Sequence, residues 1–171
     1  MRKVDITDCN MTATSTALLF GSVPFNNDSI KELTLLGNNM IGPAGVTALK
    51  PFFKKASSLT NLVLGGINLG LEGIKLLSLE LVGLPSLNHL HPFRNNIGDK
   101  GLEGITILCF SKLTFLNLGN NGIGRRGCEA IANLLRRDDS SLIDLNLQSN
   151  EIDDRCSEIL AGSLNIHHQS H

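Results

Sequence analysis

The stretch "LTFLNLGNNGIG", residues 113–124, alternates apolar and polar side chains through Leu116 and Leu118 and then sets Asn121 where the alternation stops. Such alternation predicts a short strand with one buried face. The arrangement recurs. "IKELTLLGNNMIG" begins at Ile30, "LTNLVLGGINLG" at Leu59, "LNHLHPFRNNIG" at Leu87 and "LIDLNLQSNEID" at Leu142, with a weaker first copy, "MRKVDITDCNM", at Met1. Six repeats of 26–29 residues therefore start near 1, 30, 59, 87, 113 and 142. Position 4 of each reads Val4, Leu33, Leu62, Leu90, Leu116 and Leu145, and position 6 reads Ile6, Leu35, Leu64, Pro92, Leu118 and Leu147. Position 9 reads Cys9, Asn38, Ile67, Asn95, Asn121 and Asn150, and position 11 reads Met11, Met40, Leu69, Ile97, Ile123 and Ile152. Chance does not produce six matching registers, so the chain is built from repeats.

Beyond position 9 the apolar spacing lengthens toward a helical period. "GRRGCEAIANLLRR" puts Ile131, Leu134 and Leu135 on one face, and "GPAGVTALKPFF" does so with Val46, Leu49, Phe52 and Phe53. "GLEGIKLLSLEL", "GDKGLEGITILCF" and "DDRCSEILAGSL" complete the series, while "ATSTALLFG" is the least regular because its threonines and serine are weak helix formers. Stacked strand–loop–helix units give a parallel sheet on one side and helices on the other. Helices are wider than strands, so the stack curves with the sheet on its concave face.

The pattern L-x-x-L-x-L-x-x-N/C-x-L resembles the leucine-rich repeats. The long period and the following "IGPAG", "IGDKG" and "IGRRG" are similar to the ribonuclease-inhibitor-like subfamily. That group includes ribonuclease inhibitor, the GTPase-activating protein of Ran and the repeat domains of NOD-like receptors. The resemblance covers essentially all 171 residues. It implies an α/β leucine-rich-repeat solenoid, a right-handed horseshoe arc, with residues 1–171 as one domain or as a fragment of a larger protein.

At position 9 the chain leaves the sheet, and its backbone groups lose their ladder partners while still partly buried. Each unpaired group costs on the order of 1–3 kcal/mol. An asparagine carries both donors and acceptors, so Asn38, Asn95, Asn121 and Asn150, with Cys9 in the same buried column, are expected to form a structural ladder. Ile67 interrupts it, and a water or a shifted loop is expected in its place.

A net charge of −1 argues against a broad nucleic-acid footprint. The basic pairs at 54–55, 125–126 and 136–137 fall in or beside the outer helices and read as a solvated face. No run approaches the roughly 20 apolar residues of a membrane span, and no signal-peptide pattern opens the chain. Cys9, Cys109, Cys128 and Cys156 show no metal-ligand spacing and read as free buried thiols of a reducing compartment, cytoplasmic or nuclear. The sequons at Asn10 and Asn27 are then accidental. Solenoid ends need polar caps. Met1 opens directly on a repeat and the tail "NIHHQSH" is short, which leaves three readings open: an excised fragment, a small protein with improvised caps, or an end-to-end homodimer through uncapped repeats.

No nucleophile elbow, P-loop or paired acids mark an active site, and no enzyme activity or cofactor is expected. The concave face offers a surface instead. Position 3 reads Lys3, Glu32, Asn61, His89, Phe115 and Asp144; position 5 reads Asp5, Thr34, Val63, His91, Asn117 and Asn146; position 7 reads Thr7, Leu36, Gly65, Phe93, Gly119 and Gln148. The fourth repeat exposes His89, His91 and Phe93 on one strand, followed by Arg94, with Phe115 beside His89 and Val63 beside His91. Exposed phenylalanines beside histidine and arginine have a hot-spot composition, and Gly65, Gly66 and Gly119 leave room for an incoming side chain. Leu36, Val63, His89, His91, Phe93, Arg94, Phe115 and Asn117 are thus the candidate partner-binding residues. Against this, Pro92 removes a ladder donor and the repeat has only 26 residues, which points to local distortion. Two imidazoles without a third ligand make no metal site, and His167, His168 and His171 read as a polar end.

The expected function is a non-enzymatic interaction module that holds another protein on the concave face. The alternatives are a regulator of a small GTPase, as in the Ran-activating family, whose extra repeats and acidic tail this chain lacks, and the sensing segment of a NOD-like receptor.

Overall fold

At position 8 of every repeat the backbone enters the left-handed region: Asp8, Gly37, Gly66, Arg94, Asn120 and Ser149 have φ between 52° and 76°. This turn ends each strand and swings the chain inward, and short polar residues or glycine accept it most readily. The computed structural model describes residues 2–21, 29–105 and 112–164. Met1, Asn27, Cys109 and the tail histidines lie outside the described residues.

Six strands, β1 (Lys3–Asp5), β2 (Glu32–Thr34), β3 (Asn61–Val63), β4 (His89–His91), β5 (Phe115–Asn117) and β6 (Asp144–Asn146), pair in parallel in sequence order. Among the described residues seven helices follow them: α1 (Ala13–Gly21), α2 (Gly42–Ala48), α3 (Lys50–Phe53), α4 (Gly70–Leu81), α5 (Gly98–Ile105), α6 (Arg125–Leu135) and α7 (Asp154–Leu164). The register aligns the repeats as their sequences do, with Leu33 opposite Leu62, Leu62 opposite Leu90 and Leu90 opposite Leu116. These leucines, with Leu35, Leu64 and Leu118, are buried between sheet and helices. The fold is a leucine-rich-repeat solenoid, an unclosed sheet with helices along one face.

Each helix has a local cause. Thr12 and Ser15 cap α1 reciprocally, the Ser15 amide donating to Thr12 Oγ1 (3.2 Å) and the Thr12 amide to Ser15 Oγ (2.8 Å). The hydroxyl residues that weaken the helix pattern thus start the helix. The predicted helix through "GPAGVTALKPFF" is split into α2 and α3 around Leu49, because Pro51 has no amide to continue the ladder. Its apolar face is as expected: Val46, Leu49, Phe52 and Phe53 are all buried. The extension of α5 toward Phe110 lies outside the described residues.

The asparagine ladder is present. Asn38 Oδ1 accepts from the Cys9 and Met11 amides (3.0 and 2.9 Å), and its Nδ2 donates to the Ile6 and Leu35 carbonyls (2.6 and 3.0 Å). Asn95 serves the Ile67 and Leu69 amides, Asn121 those of Asn95 and Ile97, and Asn150 those of Asn121 and Ile123. Two sequence readings are corrected and one is located. Cys9 is exposed, because among the described residues only the second repeat packs against its turn, and its thiol donates to the Thr7 carbonyl in its own loop. Ile67 is fully buried and its own amide still meets Asn95, so the interruption falls on the Asn38 amide, which has no asparagine facing it. Met40 is 61% exposed, and Ile41 takes the buried place, since the second repeat carries one extra residue before its helix.

Candidate functional site

The short strands point every second side chain outward, so each repeat adds three residues to one face of the sheet. At the first repeats that face is charged and self-satisfied. Lys3 lies 3.5 Å from both Asp5 and Glu32, and Thr7 Oγ1 donates to Asp5 Oδ1 at 2.7 Å. This hydrogen bond, with Lys3 nearby, holds the Asp5 carboxyl below its ordinary range.

The centre is aromatic. Phe115 stacks on His91, with centroids 4.7 Å apart and planes at 29°, and on His89, at 5.7 Å and 13°. The register puts His89 opposite Phe115 and Val63 opposite His91, as the sequence predicts. His89 Nδ1 lies 2.7 Å from Asn88 Oδ1, while His91 Nε2 is buried without a hydrogen bond. Burial, and then the adjacent His89, holds the His91 imidazole below its usual range.

Two expectations change here. Phe93 and Phe115 are half-buried instead of exposed, because each covers a neighbour. The space over Gly65 is filled from within: a Cβ there would stand 2.3 Å from Cζ of Phe93. Gly119 is likewise crowded by Asn117 Oδ1 and the Gln148 carbonyl, at 3.2 and 3.3 Å from its missing Cβ. The positions directly over these two glycines are thus taken by the chain's own atoms, Phe93 over Gly65 and Asn117 with the Gln148 backbone over Gly119.

Pro92 has a confined effect. In other repeats the position-6 amide donates to the position-5 carbonyl of the next strand, as Leu64 does to His91 (3.0 Å) and Leu118 to Asn146 (2.8 Å). Pro92 cannot, and β4 pairs with β5 through two residues instead of three. The ladder resumes at Arg94, whose amide donates to Gly119 (2.9 Å). The Pro92 carbonyl accepts from Asn95 and Asn121 Nδ2, both at 3.1 Å. The fourth repeat therefore keeps its strand.

Beside the aromatic stack lies a hollow of about 330 Å³, lined by Leu36, Phe93, Arg94, Asn117 and Gly119 together with Asn120, Asn146, Gln148 and Ser149. Of the sequence candidates, Leu36, Phe93, Arg94 and Asn117 meet in this hollow, and Val63, His89, His91 and Phe115 form the adjoining stack. Sequence reasoning passed over Asn120 and Ser149, whose only signal is the left-handed turn they share with Arg94 at position 8. Asn146 and Gln148 were on the predicted face but carry no distinctive side-chain chemistry. No cluster of three or more metal-ligating side chains occurs among the described residues.

The leucine-rich repeat family model matches residues 83–105 and 111–132. Mouse ribonuclease inhibitor is 31% identical over 168 residues, 96% of this chain and 36% of that protein. The chain is a leucine-rich-repeat protein of the ribonuclease-inhibitor type. Mouse NACHT, LRR and PYD domains-containing protein 5 is 26% identical over 193 residues, and the chain spans only 16% of its length. The solved structure of Leiomodin-1 Actin-Binding Site 2 superposes with a TM-score of 0.63 at 16% identity, covering 92% of this chain and 90% of that one. That likeness is one of fold. Leucine-rich repeats of this type are protein-interaction modules, and this chain is built as one. No helix among the described residues is long and apolar enough to cross a membrane.

Proposed function

We propose that the chain is a non-enzymatic module that binds another protein on the concave sheet face, with the fourth and fifth repeats as the centre of contact. The observation that supports this is the His89–Phe115–His91 stack, an aromatic surface held rigid by the sheet and bordered by the hollow under Phe93. Preorganised aromatic side chains give up little rotamer entropy on binding and dominate interface energetics. The amino-terminal third of the face, already paired within itself, supplies a polar rim.

The NACHT- and LRR-containing relatives favour a second, compatible reading, in which residues 1–171 are one domain acting as the sensing segment of a larger cytoplasmic or nuclear receptor. Affinity capture from the source lysate tests the first reading. Wild type and a Phe93→Ala/Phe115→Ala variant are compared, with far-ultraviolet circular dichroism to establish folding, since the chain has no Trp or Tyr. A partner held by wild type and lost by the folded variant supports it. Equal capture by both overturns it.

A further inference from the structure

The hollow beside the aromatic stack has a hydrogen-bonding sense that its composition conceals. Asn117 Oδ1 accepts from the Gly119 amide (3.0 Å), and Asn146 Oδ1 accepts from the Gln148 amide (2.8 Å). A backbone N–H needs an acceptor, so the oxygen and nitrogen ends of both side chains are fixed by their partners. Both oxygens lie against the backbone at Gly119, 3.2 and 3.7 Å from where its Cβ would stand. Among the described residues nothing engages the NH₂ group of either side chain, so each has its donors to offer a ligand. Asn117 and Asn146 are register partners, so the two groups come from adjacent strands.

Arg94 adds five more donors and no acceptor. Its backbone is fixed at φ 54°, and none of the ion pairs among the described residues includes Arg94. No Asp or Glu lines the hollow, whose apolar part is Phe93 and Leu36. A donor-rich, cationic corner beside an apolar one is complementary to a group that only accepts hydrogen bonds and carries negative charge, next to an apolar group. A terminal carboxylate is normally held by a nest of free backbone amides, and here the amides of Arg94 and Asn120 are spent on the Gly119 and Gln148 carbonyls.

We propose that Arg94, Asn117 and Asn146 form a recognition site for the side-chain carboxylate of an Asp or Glu lying beside an apolar residue on the partner protein. This rests on the sheet-face reading above and names the partner chemistry it selects.

The test is a selection of short peptides, displayed as internal segments from a random library, on the full chain and on Arg94→Glu. Wild type should enrich segments with an acidic residue next to an apolar one. Changing that acid to its amide should weaken binding about tenfold or more, the loss of a charge-assisted contact. The Arg94→Glu protein, matched to wild type by circular dichroism, should lose the acidic preference and select basic residues instead. No selected segments, segments without acidic enrichment, an enrichment unchanged by Arg94→Glu, or a requirement for a free carboxyl terminus would each overturn the proposal. A Phe115→Ala protein separates the two readings. Segments without acidic preference that are lost on Phe115→Ala refute the carboxylate site alone, whereas segments indifferent to both Arg94→Glu and Phe115→Ala refute sheet-face binding as well.

Discussion

Replacing Asn95 with isoleucine puts the asparagine ladder to a quantitative test. Asn95 is 2% exposed and engages five backbone groups: it accepts from the Ile67 and Leu69 amides (3.1 Å each) and donates to the Leu64, Pro92 and Phe93 carbonyls (2.7, 3.1 and 3.0 Å). Isoleucine leaves both amides buried without an acceptor. At about 1–3 kcal/mol for each amide the cost is about 2–6 kcal/mol, and the buried isoleucine returns about 1.5–3 kcal/mol. The Leu64, Pro92 and Phe93 carbonyls lose their donor as well, at a further cost of about 1–3 kcal/mol each where no other donor reaches them. The net loss should therefore be about 2 kcal/mol or more, a large part of the 5–15 kcal/mol typical of a domain. The third repeat supplies the reverse experiment. Ile67→Asn would give the Asn38 amide the acceptor that its counterparts have, but would remove a fully buried isoleucine worth about 1.5–3 kcal/mol. The two terms offset, so the net change should stay within about 1.5 kcal/mol. Urea unfolding followed by circular dichroism measures both. An Asn95→Ile protein within about 0.5 kcal/mol of wild type would refute the account of the ladder, because the buried amides would then have found other partners.

Other consequences follow from the same geometry. Pro92→Leu restores an amide to the Asn117 carbonyl and the consensus leucine to the core, and should raise the urea midpoint by the equivalent of about 0.5–1.5 kcal/mol; a lower midpoint would mean that the proline is built into the turn. His91, its pKa depressed first by burial and then by His89, contributes stability that is full above the unfolded value near 6.5 and is lost as pH falls from there through the folded value. The urea midpoint should therefore fall between about pH 7.5 and 5.5 and do so less in His91→Gln, whereas equal slopes would remove His91 as the cause. The carboxylates with lowered pKa act at more acidic pH and do not interfere. Burial, and then the neighbouring Cys156, pushes the Cys128 thiol up to about 12, so alkylation of the native chain near pH 8 should label exposed Cys9 and spare Cys128 in peptide mass analysis. Equal labelling of both would contradict the packing of α6 on α7.

The parts of this structure that were legible in the sequence are those that the repeats state several times. Strand positions, register and the asparagine ladder each recur along the chain, and stacking forces identical positions into contact, so Val63 opposite His91 follows from counting alone. The errors fall where one copy differs from the rest. The extra residue in the second repeat hides behind two adjacent apolar side chains, and only packing shows that Ile41 turns inward while Met40 faces solvent. Cys9 matches the buried column, yet among the described residues only the second repeat stacks against its turn. The glycines at Gly65 and Gly119 do signal space, but sequence cannot say whose side chain fills it, and here it is Phe93 over Gly65. The donor character of the hollow was also invisible, because an asparagine offers both senses until its backbone partner is known.

Contact on the sheet face is the central claim, and site-specific photocrosslinking measures it directly. A photoreactive residue is placed at Phe115, on the sheet, or at Arg126, exposed on α6, in otherwise wild-type chains whose circular dichroism is unchanged. The account gives a covalent partner adduct from position 115 and none from position 126. Adducts from position 126 alone would place the partner on the helical face and contradict it.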